Sequence, residues 1–196
     1  MVLAVPKNAQ RRFAEAFRDC QVKVVGQDPL VAAEGRAIAC PTDSFGMMSG
    51  GMDQRIRKAC ASQGFDLAGF TQMAVVRMFD GEIPVGSGFV VMTGPPTKYS
   101  HVVVAPVMRT PQAVKRTVNA YLAMRAVLLS VRAWNQSNEE HQVTELVLPP
   151  LMTAQGRMPL HRVAEQMRSA WDAVYFPRPD RSFTTVVSED LAMRFV

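Results

Sequence analysis

Apolar positions along the chain change their period several times, and each change marks an element. Residues 9–19 place Phe13 and Phe17 one turn apart beside Ala14 and Ala16, with Asn8 as a cap, which predicts a helix. Residues 21–25 alternate like a strand and stop at Gly26. Arg36–Cys40 is a short apolar run bounded by Gly35 and Pro41, the pattern of a strand buried on both faces. Residues 41–52 read as a loop, and the helix after it carries Ile56, Ala59 and Cys60 at helical spacing and closes at Gly64. Between Gly81 and Gly94 a strand centres on Phe89–Thr93, and another covers His101–Ala105, stopped by Pro106. Thr110-Pro111 combines a capping hydroxyl with proline at the first helical position. The helix predicted there runs to Trp134 with an apolar face of Val114, Val118, Tyr121, Leu122, Leu128 and Leu129, and Asn135–Asn138 forms the next loop. Glu145–Leu148 is a strand ended by Pro149-Pro150. Pro159 opens a helix with Val163, Met167, Ala170 and Val174 on one side, and Phe183–Val187 reads as a late strand.

Short apolar strands alternating with helices predict a three-layer α/β/α domain with a mixed, mostly parallel sheet. The 196 residues are expected to form one domain, with a core at about 20–176, an N-terminal helix and a C-terminal strand or tail. Apolar residues make up 48%, enough for a sizeable core, and charged residues only 20%, too few for a disordered chain. Cys20, Cys40 and Cys60 are too widely spaced for a zinc ribbon or a disulfide scaffold. The absence of a long apolar run and of a signal-peptide pattern predicts a cytoplasmic protein with no membrane contact. The net charge of +5 is spread over both halves. It permits a weak attraction to phosphates but forms no basic arm. The basic side chains Lys115, Arg116, Arg125 and Arg132 are dispersed around the long predicted helix rather than aligned.

In a parallel sheet, ligands sit beyond the carboxyl ends of the strands. Two loops leave such ends. The first, Thr42–Asp53, carries Gly50-Gly51 directly before a helix. Adjacent glycines let backbone approach a ligand, and the free N–H groups of the helix start favour an anion. It is neither a Walker A loop nor a dinucleotide fingerprint, and a tight turn needing only glycine backbone angles has the same sequence. The second, Pro149–Pro159, also runs from a strand into a helix and contains Thr153, Ala154, Gln155, Gly156 and Arg157. Two such loops can hold neighbouring phosphates from either side. No metal-ligand cluster and no nucleophile–base pair is visible, so neither metal nor cofactor is expected. His101 and His161 read as structural or exposed, His141 as surface, and Cys40 and Cys60 as buried thiols.

The same residues carry a family likeness. Cys40-Pro41-Thr42-Asp43-Ser44-Phe45-Gly46, Gly50-Gly51-Met52-Asp53, Ile83-Pro84-Val85-Gly86, Ala105-Pro106-Val107-Met108-Arg109, Asn119–Ala126 and Leu148-Pro149 through Pro159 follow one another in the order and spacing of macro domains. The chain resembles that ADP-ribose-binding family over residues 20–176, and most of all its bacterial and phage branch. The resemblance implies that the first loop (Ser44, Phe45, Gly46, Ser49, Gly50, Gly51, Met52) holds the diphosphate near the distal ribose. The second loop would close over the other side, with Asp28 contacting the adenine. It also implies a catalytic position for Asp53, because an aspartate there in hydrolytic macro domains positions or activates a water at the distal ribose. A carboxylate that merely complements the helix dipole fits the same place. Phe45 can line the pocket or anchor the loop.

Two departures stand out. Where the family usually has asparagine, this chain has Asp43, which only accepts hydrogen bonds and brings negative charge toward a diphosphate. Either ribose hydroxyls satisfy it, or it takes up a proton, or affinity falls; it is also a second candidate for the catalytic carboxylate. The second loop has Thr153-Ala154 and Gly156-Arg157 where the family has more glycine. Ala154 would hold backbone away from phosphate, and Arg157 would either add a charge-assisted contact or point to solvent. Three functions stay open: hydrolysis of an ADP-ribosyl or O-acyl-ADP-ribose bond, non-catalytic reading of ADP-ribose or a nucleotide metabolite, and weak binding of RNA or poly(ADP-ribose).

Overall fold

The computed structural model describes every residue except Ala154 and Val196. Strands β1 (Val2–Ala4), β2 (Lys23–Val25), β3 (Ala37–Asp43), β4 (Phe89–Met92), β5 (His101–Met108) and β6 (Leu146–Leu148) form one sheet in the order β2-β1-β6-β3-β5-β4. All neighbours are parallel except β4 against β5. Helices α1 (Gln10–Ala16), α5 (Asn119–Ser137) and α6 (Leu160–Tyr175) cover one face; α2 (Pro29–Ala32), α3 (Gly51–Ala61) and α4 (Leu67–Phe79) cover the other. The expected three-layer mixed sheet is therefore present.

Strand alternation builds both cores at once. In β3, Ala37 and Ala39 enter the cluster under α1, α5 and α6, while Ile38 and Cys40 enter the one under α2, α3 and α4. Leu146 and Leu148 against Val147 in β6, and Val103 and Ala105 against Val102 and Val104 in β5, divide the same way. This two-sided burial is why these strands read as continuous apolar runs. The first cluster gathers Phe13, Phe17, Met124 and Met167; cutting Phe13, fully buried, to alanine costs about 3–5 kcal/mol.

Several local expectations are corrected. Asn8 does not cap α1: the chain enters through a 3₁₀ turn, Lys7–Ala9, closed by the Ala9 N–H on the Pro6 carbonyl, and α1 has no side-chain cap. The long helix begins at Asn119, not Thr110. Residues 110–118 are loop because Val114 N–H donates to the Gly156 carbonyl, while Gln166 Oε1 accepts from the first helical N–H groups, of Ala120 and Tyr121. That helix also continues through Asn135 to Ser137. Phe183–Val187 is not a strand but the start of α7 (Phe183–Phe195). Its β-branched run is overridden by the Ser182 hydroxyl accepting the Thr185 N–H and by the Asp190–Arg194 pair one turn apart. Pro41 and Pro106 do not end β3 and β5, which run on to Asp43 and Met108 with a register shift between Thr42 and Asp43. Strand β1 and helices α2 and α4 have no counterpart in the expected elements. Among the described residues no helix is long and apolar enough to cross a membrane.

Candidate functional site

The carboxyl ends of all five parallel strands open into one cleft of about 560 Å³. Val5-Pro6-Lys7 follow β1, Gly26–Pro29 follow β2, Pro41-Thr42-Asp43 end β3, Val107-Met108 end β5, and Pro149-Pro150 follow β6. Ser49–Asp53 and Arg55 come from the start of α3, and Met152, Thr153, Gln155 and Gly156 from the second loop. The volume lies in the range of small-molecule sites. Gly51 takes a φ of +72° at the first position of α3, a conformation that favours glycine. Gly50 brings the loops together: a Cβ there would lie 2.8 Å from Gln155 Nε2. The second loop puts two non-glycine residues, Met152 and Arg157, at positive φ, and the Gly156 carbonyl holds the 110–118 segment through Val114.

Three carboxylates line the cleft in different hydrogen-bonding settings. Asp43, 5% exposed, is held by the first loop: its Oδ1 accepts the N–H groups of Phe45 at 2.8 Å and Met47 at 3.3 Å. The carboxylate thus shapes the turn, in the way Asx residues do. Asp53, 7% exposed in the first turn of α3, accepts the Gln54 N–H at 2.7 Å, and Thr42 Oγ1 lies 3.5 Å from its other oxygen. Burial pushes its pKa from 3.8 up to about 6. The Gln54 N–H works against that rise, and the neighbouring charge of Asp43 adds to it. Asp28 caps α2 through the Leu30 N–H and pairs with Arg55 Nη2 at 2.5 Å. Partial burial pushes its carboxyl up, but Arg55 and the Leu30 N–H together hold it below the ordinary range.

No protein-family model matches the sequence, and no curated protein matches it. Solved structures do. The macrodomain of Mycobacterium tuberculosis DarG is 20% identical, with a TM-score of 0.57 over 75% of this chain and 87% of its own. The macrodomain of Thermus aquaticus DarG is 17% identical, with a TM-score of 0.58 over 88% and 92%. Thermosipho africanus DarTG, solved in complex with ADP-ribose, is 10% identical, with a TM-score of 0.57 over 98% of this chain and 57% of its own.

The chain has the macrodomain fold.

In this fold, Asp28, Asp43, Ser49, Gly50, Gly51, Met52, Asp53, Thr153, Gln155 and Gly156 come together around the cleft, and four other expected ligand residues do not line it. Ser44 is 1% exposed and tied by its backbone to Met108, Arg109 and Ile83. Phe45 lies under the Arg109 guanidinium, 5.3 Å from its ring centroid, and Arg109 is itself forked onto Glu82; the residue anchors the loop. Gly46, at φ +64°, packs on α4, where a Cβ would come 2.6 Å from Thr71 Cγ2. Arg157 is exposed away from the lining. Ala154 lies outside the described residues.

Sequence reasoning passed over Lys7, Gln27, Thr42 and Arg55, which all line the cleft. A signal existed for the first: Val2–Val5 is an apolar run ended by proline, the same mark that identified the strands before Pro41 and Pro149. Arg55 carried no comparable signal, because only the fold sets it opposite Asp28. Of the charged residues lining the cleft, three are acidic and two basic, a balance that does not favour a long polyanion. Lys115, Arg116, Arg125 and Arg132 do not line it, and Arg132 spends a donor on the Val174 carbonyl. His101 stacks edge-on against Trp134, and Cys40 and Cys60 are buried. Among the described residues no group of three or more His, Cys, Asp or Glu could hold a metal ion.

Proposed function

We propose that this cleft binds ADP-ribose, free or attached to a macromolecule, and that Asp53 hydrolyses the bond at the distal ribose. The observation that carries the reading is the convergence of five parallel strand ends and the N-terminus of α3 on one cleft containing a carboxylate raised to about 6. The N–H groups at the start of α3 suit the diphosphate. Gln155 and Thr153 cover it from the second loop, and the Asp28–Arg55 pair borders the adenosine end. A base with a pKa near 6 is ionised at neutral pH yet still basic enough to take a proton from water. In the step proposed, a water loses a proton to Asp53 as its oxygen bonds to the anomeric carbon. The bond from that carbon to the modified atom breaks, its electron pair leaves with the departing group, and that group takes up the proton Asp53 gained from the water.

Calorimetric titration with ADP-ribose and AMP tests the binding half. ADP-ribose binds more tightly, because both loops engage the diphosphate and distal ribose; equal affinities would remove the argument. Turnover of an ADP-ribosylated protein tests the other half. The rate rises with pH through about 6, and Asp53→Asn lowers it about 100-fold or more while ADP-ribose still binds. Tight binding by a wild-type protein that never turns over would make it a reader. RNA binding that survives physiological salt would overturn the assignment of the cleft, since weak phosphate contacts are lost there.

A further inference from the structure

Gln166, in the middle of α6, is 0% exposed, yet its side chain is fully hydrogen-bonded. Its Oε1 accepts the N–H groups of Ala120 at 3.1 Å and Tyr121 at 3.3 Å, at the start of α5. Its Nε2 donates to the Thr117 carbonyl and to the Met193 carbonyl in the last turn of α7, both at 2.8 Å. The first N–H groups and last carbonyls of a helix have no partner within it, so one buried amide serves the ends of two helices. Only an amide offers two acceptor sites on one atom and two donors on the other. A carboxylate in its place lacks the donors, and a methionine lacks both.

Gln166 does not line the cleft, but the bonds it anchors lead there. Thr117 Oγ1 donates to the Val114 carbonyl at 2.8 Å and accepts the Asn119 N–H at 3.3 Å. The Val114 N–H donates to the Gly156 carbonyl at 3.0 Å, and Asn119 Nδ2 to the Val107 carbonyl at 2.9 Å. Gly156 and Val107 both line the cleft. Arg162, one turn before Gln166, donates to the Lys115 carbonyl at 2.7 Å, so one face of α6 holds the 110–118 segment at two points. The second loop needs such support. Met152 and Arg157 have φ of +67° and +50°, a conformation that residues other than glycine keep only where their surroundings fix it. Gly156 sits so close to Met152 that a Cβ would lie 2.8 Å from the Met152 carbonyl oxygen.

We propose that Gln166 is a positioning residue for the cleft, setting the second loop through Thr117, Val114 and Gly156. The choice of ligand rests on the ADP-ribose reading given above. In that reading the second loop covers the diphosphate, so a displaced loop weakens ADP-ribose and leaves AMP unaffected. Small displacements suffice, because binding and reaction both depend on close placement.

Three variants of the full chain test the proposal. Gln166→Met fills the same space without the hydrogen bonds. Thr117→Val, at a half-buried position, cuts the next link, and Thr117→Ser keeps it. Hydrogen exchange of the Val114 amide in the ligand-free protein reads the support directly. It is referenced to the amides of β3 in the same sample, because a loss of global stability speeds both together. In Gln166→Met and Thr117→Val the Val114 amide exchanges at least tenfold faster relative to β3, and in Thr117→Ser it exchanges as in the wild type. Titration gives ADP-ribose bound several-fold more weakly by the first two variants, AMP unchanged, and a wild-type ratio of the two ligands for Thr117→Ser. If Gln166→Met does not fold, Thr117→Val decides alone. A Val114 amide as protected as in the wild type, or parallel losses of ADP-ribose and AMP, would overturn the proposal. The exchange measurement needs no ligand, so a wild type that does not bind ADP-ribose refutes the reading of the cleft and not the support of the loop.

Discussion

Asp53→Asn separates the charge of the cleft's buried carboxylate from its shape. The amide is isosteric, its oxygen can still accept the Gln54 N–H, and its NH₂ group can donate to Thr42 Oγ1, 3.5 Å from the present carboxylate oxygen. What disappears is the cost of holding a negative charge in a site 7% exposed beside Asp43. The folded carboxyl titrates at about 6 and the unfolded one near 3.8. Between those values the native state holds more protons than the unfolded state, so the contribution of Asp53 to stability is fully present below 3.8 and declines as pH rises through about 6. Moving the titration from 3.8 to about 6 corresponds to about 3 kcal/mol, an upper bound because the loop can relax around the ionised group. At neutral pH the variant is therefore the more stable protein, by about 1–3 kcal/mol. The two converge under acidic conditions. Urea unfolding of both proteins across this range is the assay. The carboxylates held low by arginine, such as Asp28 and Glu82, contribute the opposite slope. They are common to both proteins, so the difference curve isolates Asp53. Parallel curves, or a variant less stable at neutral pH, would refute the account of Asp53 as a desolvated charge.

Gly46→Val destabilises the fold by about 2 kcal/mol or more, since a positive φ and the packing against Thr71 both oppose a side chain, and urea midpoints measure it. Gly50→Ala is different: its backbone is extended, so unfolding free energy changes by less than about 0.5 kcal/mol, but the new methyl displaces Gln155 and weakens ADP-ribose binding several-fold. Adding Gln155→Ala to it costs little further affinity in a titration, because the contact is already lost; an additive loss would place the effect elsewhere. Asp43→Asn keeps both loop hydrogen bonds at Oδ1 while removing the charge beside Asp53, so the titration midpoint of Asp53 falls below about 6 and ADP-ribose binds more tightly. Weaker binding by that variant would contradict the like-charge argument.

Legibility in the sequence followed the range of the interactions. The three-layer sheet was readable because β3, β5 and β6 are buried on both faces and show it as unbroken apolar runs. Helix α4 was missed although Asp66 caps it through the Gly69 N–H, because its exposed face carries Phe70, Met73 and Val76 and blurs the amphipathic period. The start of α5 was placed nine residues early, since Thr110-Pro111 is a valid local signal. What sets the true start is Gln166, 46 residues downstream of Ala120, accepting its N–H. In the site, Gly50 and Gly51 are legible from their place before a helix, and the carboxylates only through the family resemblance. The separation of Asp43 and Asp53, which line the cleft, from Phe45 and Gly46, which anchor the loop, depends on contacts with Arg109 and Thr71 that no local pattern records.

The carboxylate at position 43 follows from how β3 ends. Pro41 and Pro106 lie near the ends of the two central strands, where each removes a ladder donor, and the register shifts between Thr42 and Asp43. The backbone then turns sharply through residues 44–47, and the N–H groups of Phe45 and Met47 need an acceptor that the sheet no longer supplies. Asp43 Oδ1 supplies it for both, more strongly than an amide would because the acceptor is charged. That same charge, buried one loop away from Asp53, is one of the causes that raise Asp53 toward neutrality. The turn that shapes the first loop and the raised carboxyl of Asp53 are thus linked through one side chain. Aspartate in place of asparagine at this position both strengthens the loop and raises Asp53.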